Sequence, residues 1–184
     1  MAVKPKILER RLVAQTRIFR VEQIDLEFSN GSRRCFERIL GGRGSVLTVP
    51  VQNARTVLLV REYAAGTDRY ELGFPKGIVE QGEGILEAAG REIREEIGFG
   101  ARDLRLLRVV TLAPGYIQHR THMVLARDLY PEKTEGDEPE PLEVVPWKLD
   151  DWDTLFARDD FTEARSVAAF LLARDFLERE QGNR

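Results

Sequence analysis

The sequence predicts a mixed α/β fold, and three observations carry that prediction. Before residue 40 the chain alternates apolar and polar residues at period two. Short β-branched runs then flank a polar turn. Two later segments carry apolar residues at helical spacing instead. At 184 residues the chain fits one domain with extensions, and a 42% hydrophobic content is enough for a sizeable core.

Strands are expected from Ile7 to Leu40. Phe19 to Phe28 alternates apolar and polar residues at period two, Ser29-Asn30-Gly31-Ser32 is a turn signal, and Arg33 to Ile39 completes a hairpin. Val46 to Val49 and Thr56 to Val60 are β-branched runs, each short enough for a strand. The next element is a helix, because Leu86, Ala89, Ile93 and Ile97 form a 3-4-4 stripe and Gly98 stands where a helix stops. Arg105 to Leu112 and His122 to Ala126 read as further strands, and Pro131 to Pro146 as the most loop-like stretch. The last helix spans about Thr162 to Arg179, with Ala164, Val167, Ala168, Leu171, Leu172 and Phe176 on its stripe.

Charge and composition exclude several roles. The formal net charge is −3 and no basic tract exists, so no nucleic-acid partner is expected. No run approaches membrane-spanning length, and the first residues lack the apolar core of a signal peptide. Cys35 is the only cysteine, which excludes an internal disulfide and favours a reducing compartment. Cytoplasmic residence is the expectation. The histidines, His119 and His122, receive no role.

The chemistry concentrates on the helix after residue 84. Glu92 and Glu96 are i and i+4, so both carboxylates rise from one face, at the border of the apolar stripe. Two bare carboxylates that close repel each other, and burial beside a core raises the cost. A shared divalent cation resolves both problems. Ion pairs with Arg91 and Arg94 are the alternative resolution.

The flanks extend this pattern to Gly77-x5-Glu83-x7-Arg91-Glu92-Ile93-x-Glu95-Glu96-x-Gly98-Phe99. Nine positions over 23 residues are fixed or class-restricted, and they resemble, without departure, the signature of the Nudix hydrolases. That resemblance implies an α/β/α sandwich around a mixed sheet, with the signature as a loop-helix-loop. It implies hydrolysis of a nucleoside diphosphate linked to another moiety, with Mg²⁺ or Mn²⁺. Glu92 and Glu96 would be the principal metal ligands, and Glu95 a further ligand or an orienter of water. The carbonyl of Lys76 would be a backbone ligand, and Arg91 would hold Glu83 or another acid of the signature.

Residues outside the signature resemble the ADP-ribose branch of the same family. Pro114, in Ala113-Pro114-Gly115, lies sixteen residues beyond Gly98, the spacing of that branch. The glutamate often found a few residues later in the branch is absent from Tyr116-Ile117-Gln118-His119-Arg120. Val21 to Gly31, Arg61 to Ala64, Tyr70 to Phe74 and Glu135 to Leu142 are similar to Nudix enzymes that act on several ADP compounds, including ADP-ribose, NADH and short diadenosine polyphosphates. AMP plus the other half would be the products. A sugar nucleotide as substrate, or a nucleotide-sensing module without turnover, stands as the alternative.

Five residues outside the signature are candidates for holding the ligand by their own chemistry, with a surface charge or a core side chain as the alternative for each, and the resemblance adds a base. Arg38 and Arg61 would engage phosphate oxygens. Glu71 would accept from an adenine amino group, and Phe28 or Tyr116 would stack on a base. Glu138, on the acidic loop, would act as general base, with Glu140 assisting or adding a metal contact. Residues 1–45 would be an N-terminal β extension that forms a homodimer, and residues 46–184 the hydrolase domain.

Overall fold

The structure, a computed structural model, describes residues 3–182 and divides into two compact units. The first takes in Met1–Gly44 and Thr111–Arg120, the second Ser45–Val110 and Thr121–Arg184.

The first unit is built on three antiparallel strands, β1 (Lys6–Gln15), β2 (Arg20–Glu27) and β3 (Arg33–Ile39), in that spatial order. The expected hairpin is β2–β3, closed by a turn in which the Ser32 N–H donates to Asn30 Oδ1 at 3.0 Å. Segment 111–120 joins this unit through main-chain bonds. The Ile39 N–H donates to Tyr116 O at 2.8 Å, and the Gln118 N–H to Ile39 O at 2.9 Å.

The second unit is a mixed sheet with a helix on each face. Its spine has the order β10 (Glu143–Lys148), β5 (Thr56–Ala64), β4 (Ser45–Asn53), β9 (Thr121–Pro131), β8 (Phe99–Val110). β6 (Arg69–Gly73) adds to β5 and β7 (Lys76–Ile78) to β4. Only β4 and β9 run parallel among these pairings. Strands at the middle of such a sheet are buried on both faces, which is why β4 and β5 read as continuous apolar runs. Period two then sorts their side chains. Leu47, Val49, Val57 and Leu59 pack with Phe170, Ala173 and Leu177 of the C-terminal helix α3 (Ala164–Gly182). Val46 packs with Ala88 and Ala89, and Leu58 and Val60 pack with Ile93 and Ile97, on and beside α1 (Ile85–Glu96). A short helix α2 (Trp152–Phe156) precedes α3. The α/β/α layering of the sequence reading is therefore present.

Three details correct that reading. Leu86 is exposed, because the buried face of α1 is made by Ala88, Ala89, Gly90, Glu92, Ile93 and Glu96. The stretch from Pro131 to Pro146 is not all loop: β10 begins at Glu143 and pairs with β5 along its length. Pro146 is tolerated there because β10 is an edge strand. The last helix begins at Ala164 rather than Thr162. No helix among the described residues is long and apolar enough to cross a membrane.

Candidate active site

The acidic helix α1 places two carboxylates where water cannot compensate their charge. Glu92 and Glu96 are 7% and 8% exposed. The helix ends as expected, with the C-cap at Ile97 and Gly98 in the left-handed region at φ 73°, a conformation that only glycine adopts cheaply. Glu96 Oε1 accepts from the Lys76 N–H at 3.1 Å, while Glu96 Oε2 is buried and has no protein partner. Burial, with the nearby charges of Glu92 and Glu62, pushes the Glu96 carboxyl up to about 8, against the opposing pull of Lys76. Burial also raises Glu92, and Glu95 and Asp137 add to it, while Arg91 opposes.

Arg91 is the organiser of the remaining acids. Its guanidinium donates twice to Glu83, at 2.9 and 3.1 Å, and once each to Glu92 at 2.7 Å, Glu95 at 3.0 Å and Ile78 O at 3.0 Å. All five donors of a planar fork are committed in this way. The Glu83 hydrogen bonds are the main reason that the Arg91 pKa is raised and that the Glu83 carboxyl lies below its usual range. The long Arg91 side chain reaches back over the preceding turn to Glu83 and Ile78. Gly77 is equally committed. A Cβ there would lie 1.9 Å from Glu92 Oε1, so any larger residue would push this carboxylate out of its place.

The donor set fits a hard divalent cation. An orphaned, buried carboxylate oxygen beside a second buried carboxylate carries negative charge that Arg91 and Lys76 offset only in part, since burial still raises both carboxyls. Among the described residues, no group of three or more His, Cys, Asp or Glu side chains is arranged to hold an ion, and Arg91 pairs with both Glu92 and Glu95. Lys76 enters the site by its main-chain N–H and by an ion pair from Nζ to Glu62.

The acidic loop reaches the same helix. Residues Glu95, Glu96, Glu135, Glu138 and Glu140 line one cavity of about 640 Å³. Partial burial, Glu62 and Asp137 raise the Glu138 carboxyl above its ordinary value, and Lys76 opposes them. Glu140 Oε1 accepts from the Tyr70 hydroxyl at 2.5 Å.

The nominated substrate residues fall into two groups. Arg38, Phe28, Pro114 and Tyr116 line one cavity of about 410 Å³ in the first unit, where Arg38 is paired with Glu22 at 2.6 and 2.9 Å. In the second unit Glu71 lines a cavity of about 300 Å³ with Glu62, Thr67, Lys76, Thr162 and Ser166. Burial pushes the Glu71 carboxyl up, but Arg69, Thr162 and Thr67 outweigh it and hold it low. Arg61 pairs with Glu143 at 2.8 Å and with Asp160, so both sides of its guanidinium are occupied by protein. Sequence reasoning passed over Glu62, Asp137 and Tyr70. Each acts on the site through partners far away in the chain, and no local pattern marks them.

An α/β/α sandwich whose central helix carries this acid ridge against a glycine is the arrangement of a Nudix hydrolase, and the chain belongs to that family: residues 42–172 match the NUDIX domain. Residues 5–38 match the NudE-type Nudix hydrolase N-terminal domain. The chain is similar to the ADP compounds hydrolase NudE of Escherichia coli (strain K12), with 50% identity covering 95% of this chain and 94% of that one. It is 30% identical to the ADP-ribose pyrophosphatase of Bacillus subtilis (strain 168), covering 89% and 92%. A crystal structure of an ADP compounds hydrolase superposes with a TM-score of 0.92 at 48% identity, covering 98% of this chain and 97% of that chain.

Proposed function

We propose that this chain is a pyrophosphohydrolase of ADP-linked compounds, acting on ADP-ribose, NADH and short diadenosine polyphosphates to release AMP and the other moiety. The observation that carries the reading is the buried Glu92–Glu96 pair with its orphaned Glu96 oxygen, in a chain half identical to an ADP compounds hydrolase. Mg²⁺ or Mn²⁺ is the cation that these hard oxygen donors favour. Glu92 and Glu96 would hold it, with Glu95 and the Lys76 carbonyl as further ligands. When bound, such cations neutralise diphosphate charge and acidify water.

The protein's own groups do the rest. Arg91 fixes the rotamers of Glu83, Glu92 and Glu95, so the ridge is organised before substrate arrives. Glu138 is the proton acceptor for the attacking water; partial burial and the charges of Glu62 and Asp137 raise its carboxyl above the ordinary value. Glu71 recognises the adenine amino group, and Phe28, Arg38, Pro114 and Tyr116 form the base and phosphate contacts of the first unit. Residues 1–45 serve a homodimer, and the enzyme works in the cytoplasm.

A substrate panel with Mg²⁺ tests the reading, with products resolved by chromatography. AMP released from ADP-ribose and NADH, but no product from GDP-mannose, is the expected result. Turnover of GDP-mannose in preference to the ADP compounds would reject it. Glu96→Gln is expected to fold and to lose most Mg²⁺-dependent turnover.

A further inference from the structure

Tyr70 is an exposed aromatic on the edge strand β6, outside the signature and outside the proposed chemistry. Its surroundings are nevertheless ordered. It stands directly across the β5–β6 hairpin from Tyr63, and the two rings meet edge to face at 5.7 Å. The Tyr63 hydroxyl donates to Asp68 at 2.6 Å, at the hairpin turn. Tyr70 is thus braced on one side, and its own hydroxyl donates to Glu140 Oε1 at 2.5 Å.

The other partner sits on the loop that carries Glu138. That loop is held at its start by main-chain bonds: the Glu132 N–H donates to Gly98 O at 3.0 Å and the Thr134 N–H to Arg94 O at 3.3 Å. Gly136 lies against Glu95, where an added Cβ would stand 3.1 Å from the Glu95 Cβ. The loop therefore leaves from the C-terminal end of α1. At its far end Leu142 packs on the cluster of Ile93 and Ile97. Between these anchors Glu138 is exposed and has no hydrogen-bond partner among the described residues. The nearest tie beyond it is Tyr70–Glu140. Glu140 stands between Pro139 and Pro141, which restrict the backbone on both sides, so a bond to its side chain constrains its neighbours too.

We infer that Tyr70 is a positioning residue: by latching Glu140 it holds the acidic loop over α1 and sets Glu138 where it receives the proton of the attacking water. Glu140 is then the catch of the latch rather than a cation ligand. The inference rests on the proposed role of Glu138. It gives the Tyr63–Tyr70 pair on this exposed hairpin and the bond from Glu140 to β6 a common role. Losing one hydrogen bond to a charged group costs the order of a tenfold population of the held state, so kcat is expected to fall about tenfold while KM stays within about twofold.

The test measures kcat, KM and the Mg²⁺ activation constant for ADP-ribose in Tyr70→Phe, Glu140→Ala and the double variant, with amide exchange over residues 133–142. Tyr70→Phe removes one exposed oxygen, so folding is not at stake. Both single variants should lose about tenfold in kcat, the double variant should lose no more than either, and the loop amides should exchange faster. Additive losses, or a Tyr70→Phe enzyme with wild-type kcat, would overturn the latch. A Glu140→Ala enzyme whose Mg²⁺ activation constant shifts, while that of Tyr70→Phe does not, would also overturn it and make Glu140 a cation ligand. Glu96→Gln is run in parallel. If wild type itself does not turn over ADP-ribose, the hydrolytic reading fails; if wild type is active, Glu96→Gln is inactive and Tyr70→Phe matches wild type, only the latch fails.

Discussion

Glu96 sets two opposing demands on one side chain. Without a cation its buried carboxyl titrates near 8, far above an ordinary glutamate at about 4.3. A carboxyl raised on folding binds protons that the unfolded chain has released. Its contribution to stability is therefore full below about pH 4 and is lost as pH rises toward 8. Glu96→Gln removes the titrating group. Denaturant unfolding in chelator between pH 5 and 9 should show wild type losing stability as pH rises and the variant following a flatter line, so that the variant is the more stable at pH 9. Saturating Mg²⁺ should restore wild type and leave the variant unmoved. A variant less stable than wild type at pH 9 in chelator would contradict the burial argument. Gly77 makes a second residue-scale claim. Gly77→Ala would push its methyl group into the Glu92 carboxylate and displace it, so it should weaken the stabilisation by Mg²⁺, read by thermal melts with and without the ion.

At the scale of elements, some of the site was open to sequence reasoning and some was not, for physical reasons. Glu92 and Glu96 could be placed on one face because a helix repeats every 3.6 residues, and the stripe through Ala89 and Ile93 gives the phase. The β2–β3 hairpin could be placed because its turn carries Asn30-Gly31 between alternating runs. β7 has three residues and β10 lies in acid- and proline-rich sequence, so neither offers a period long enough to detect. Arg61 had no local signal at all. Its partner Asp160 is ninety-nine residues away, on the connection between α2 and α3. That connection is a stability device. Arg158 donates to Asp160 at 2.7 and 2.8 Å and Arg61 closes the other side, which together hold Asp160 well below the usual carboxylate range against its partial burial. A carboxyl lowered on folding stabilises above its unfolded pKa of about 3.9 and loses that contribution as pH falls. Asp160→Asn should cost about 1–3 kcal/mol at pH 7. The gap to wild type should stay constant above about pH 5 and shrink in acid, as read from denaturant midpoints. A gap that widens in acid would remove the ion pairs from the account.

For the whole molecule, the first unit is the part that bears on assembly. Its strand β1 leaves Leu8, Leu12 and Val13 at 41%, 54% and 47% exposure, and Phe36 of β3 stands at 42%. Scattered exposed apolar residues need no explanation, but an outer strand that shows several of them together is the kind of surface that a second chain covers. A two-fold dimer places the same patch on both copies, so a single change acts twice. Leu12→Asp together with Val13→Asp should therefore convert a homodimer to a monomer in sedimentation, with an unchanged far-ultraviolet spectrum. Among the described residues, the buried clusters on the two helix faces of the second unit are formed by that unit's own side chains. Mg²⁺-dependent stabilisation of the Glu92–Glu96 ridge should then survive in the monomer. Turnover should fall if the cavity of Phe28, Arg38 and Tyr116 serves catalysis only when two copies are paired. A chain that sediments as a monomer before any substitution would end the dimer proposal, and it would leave the acid ridge, with its test in Glu96→Gln, untouched.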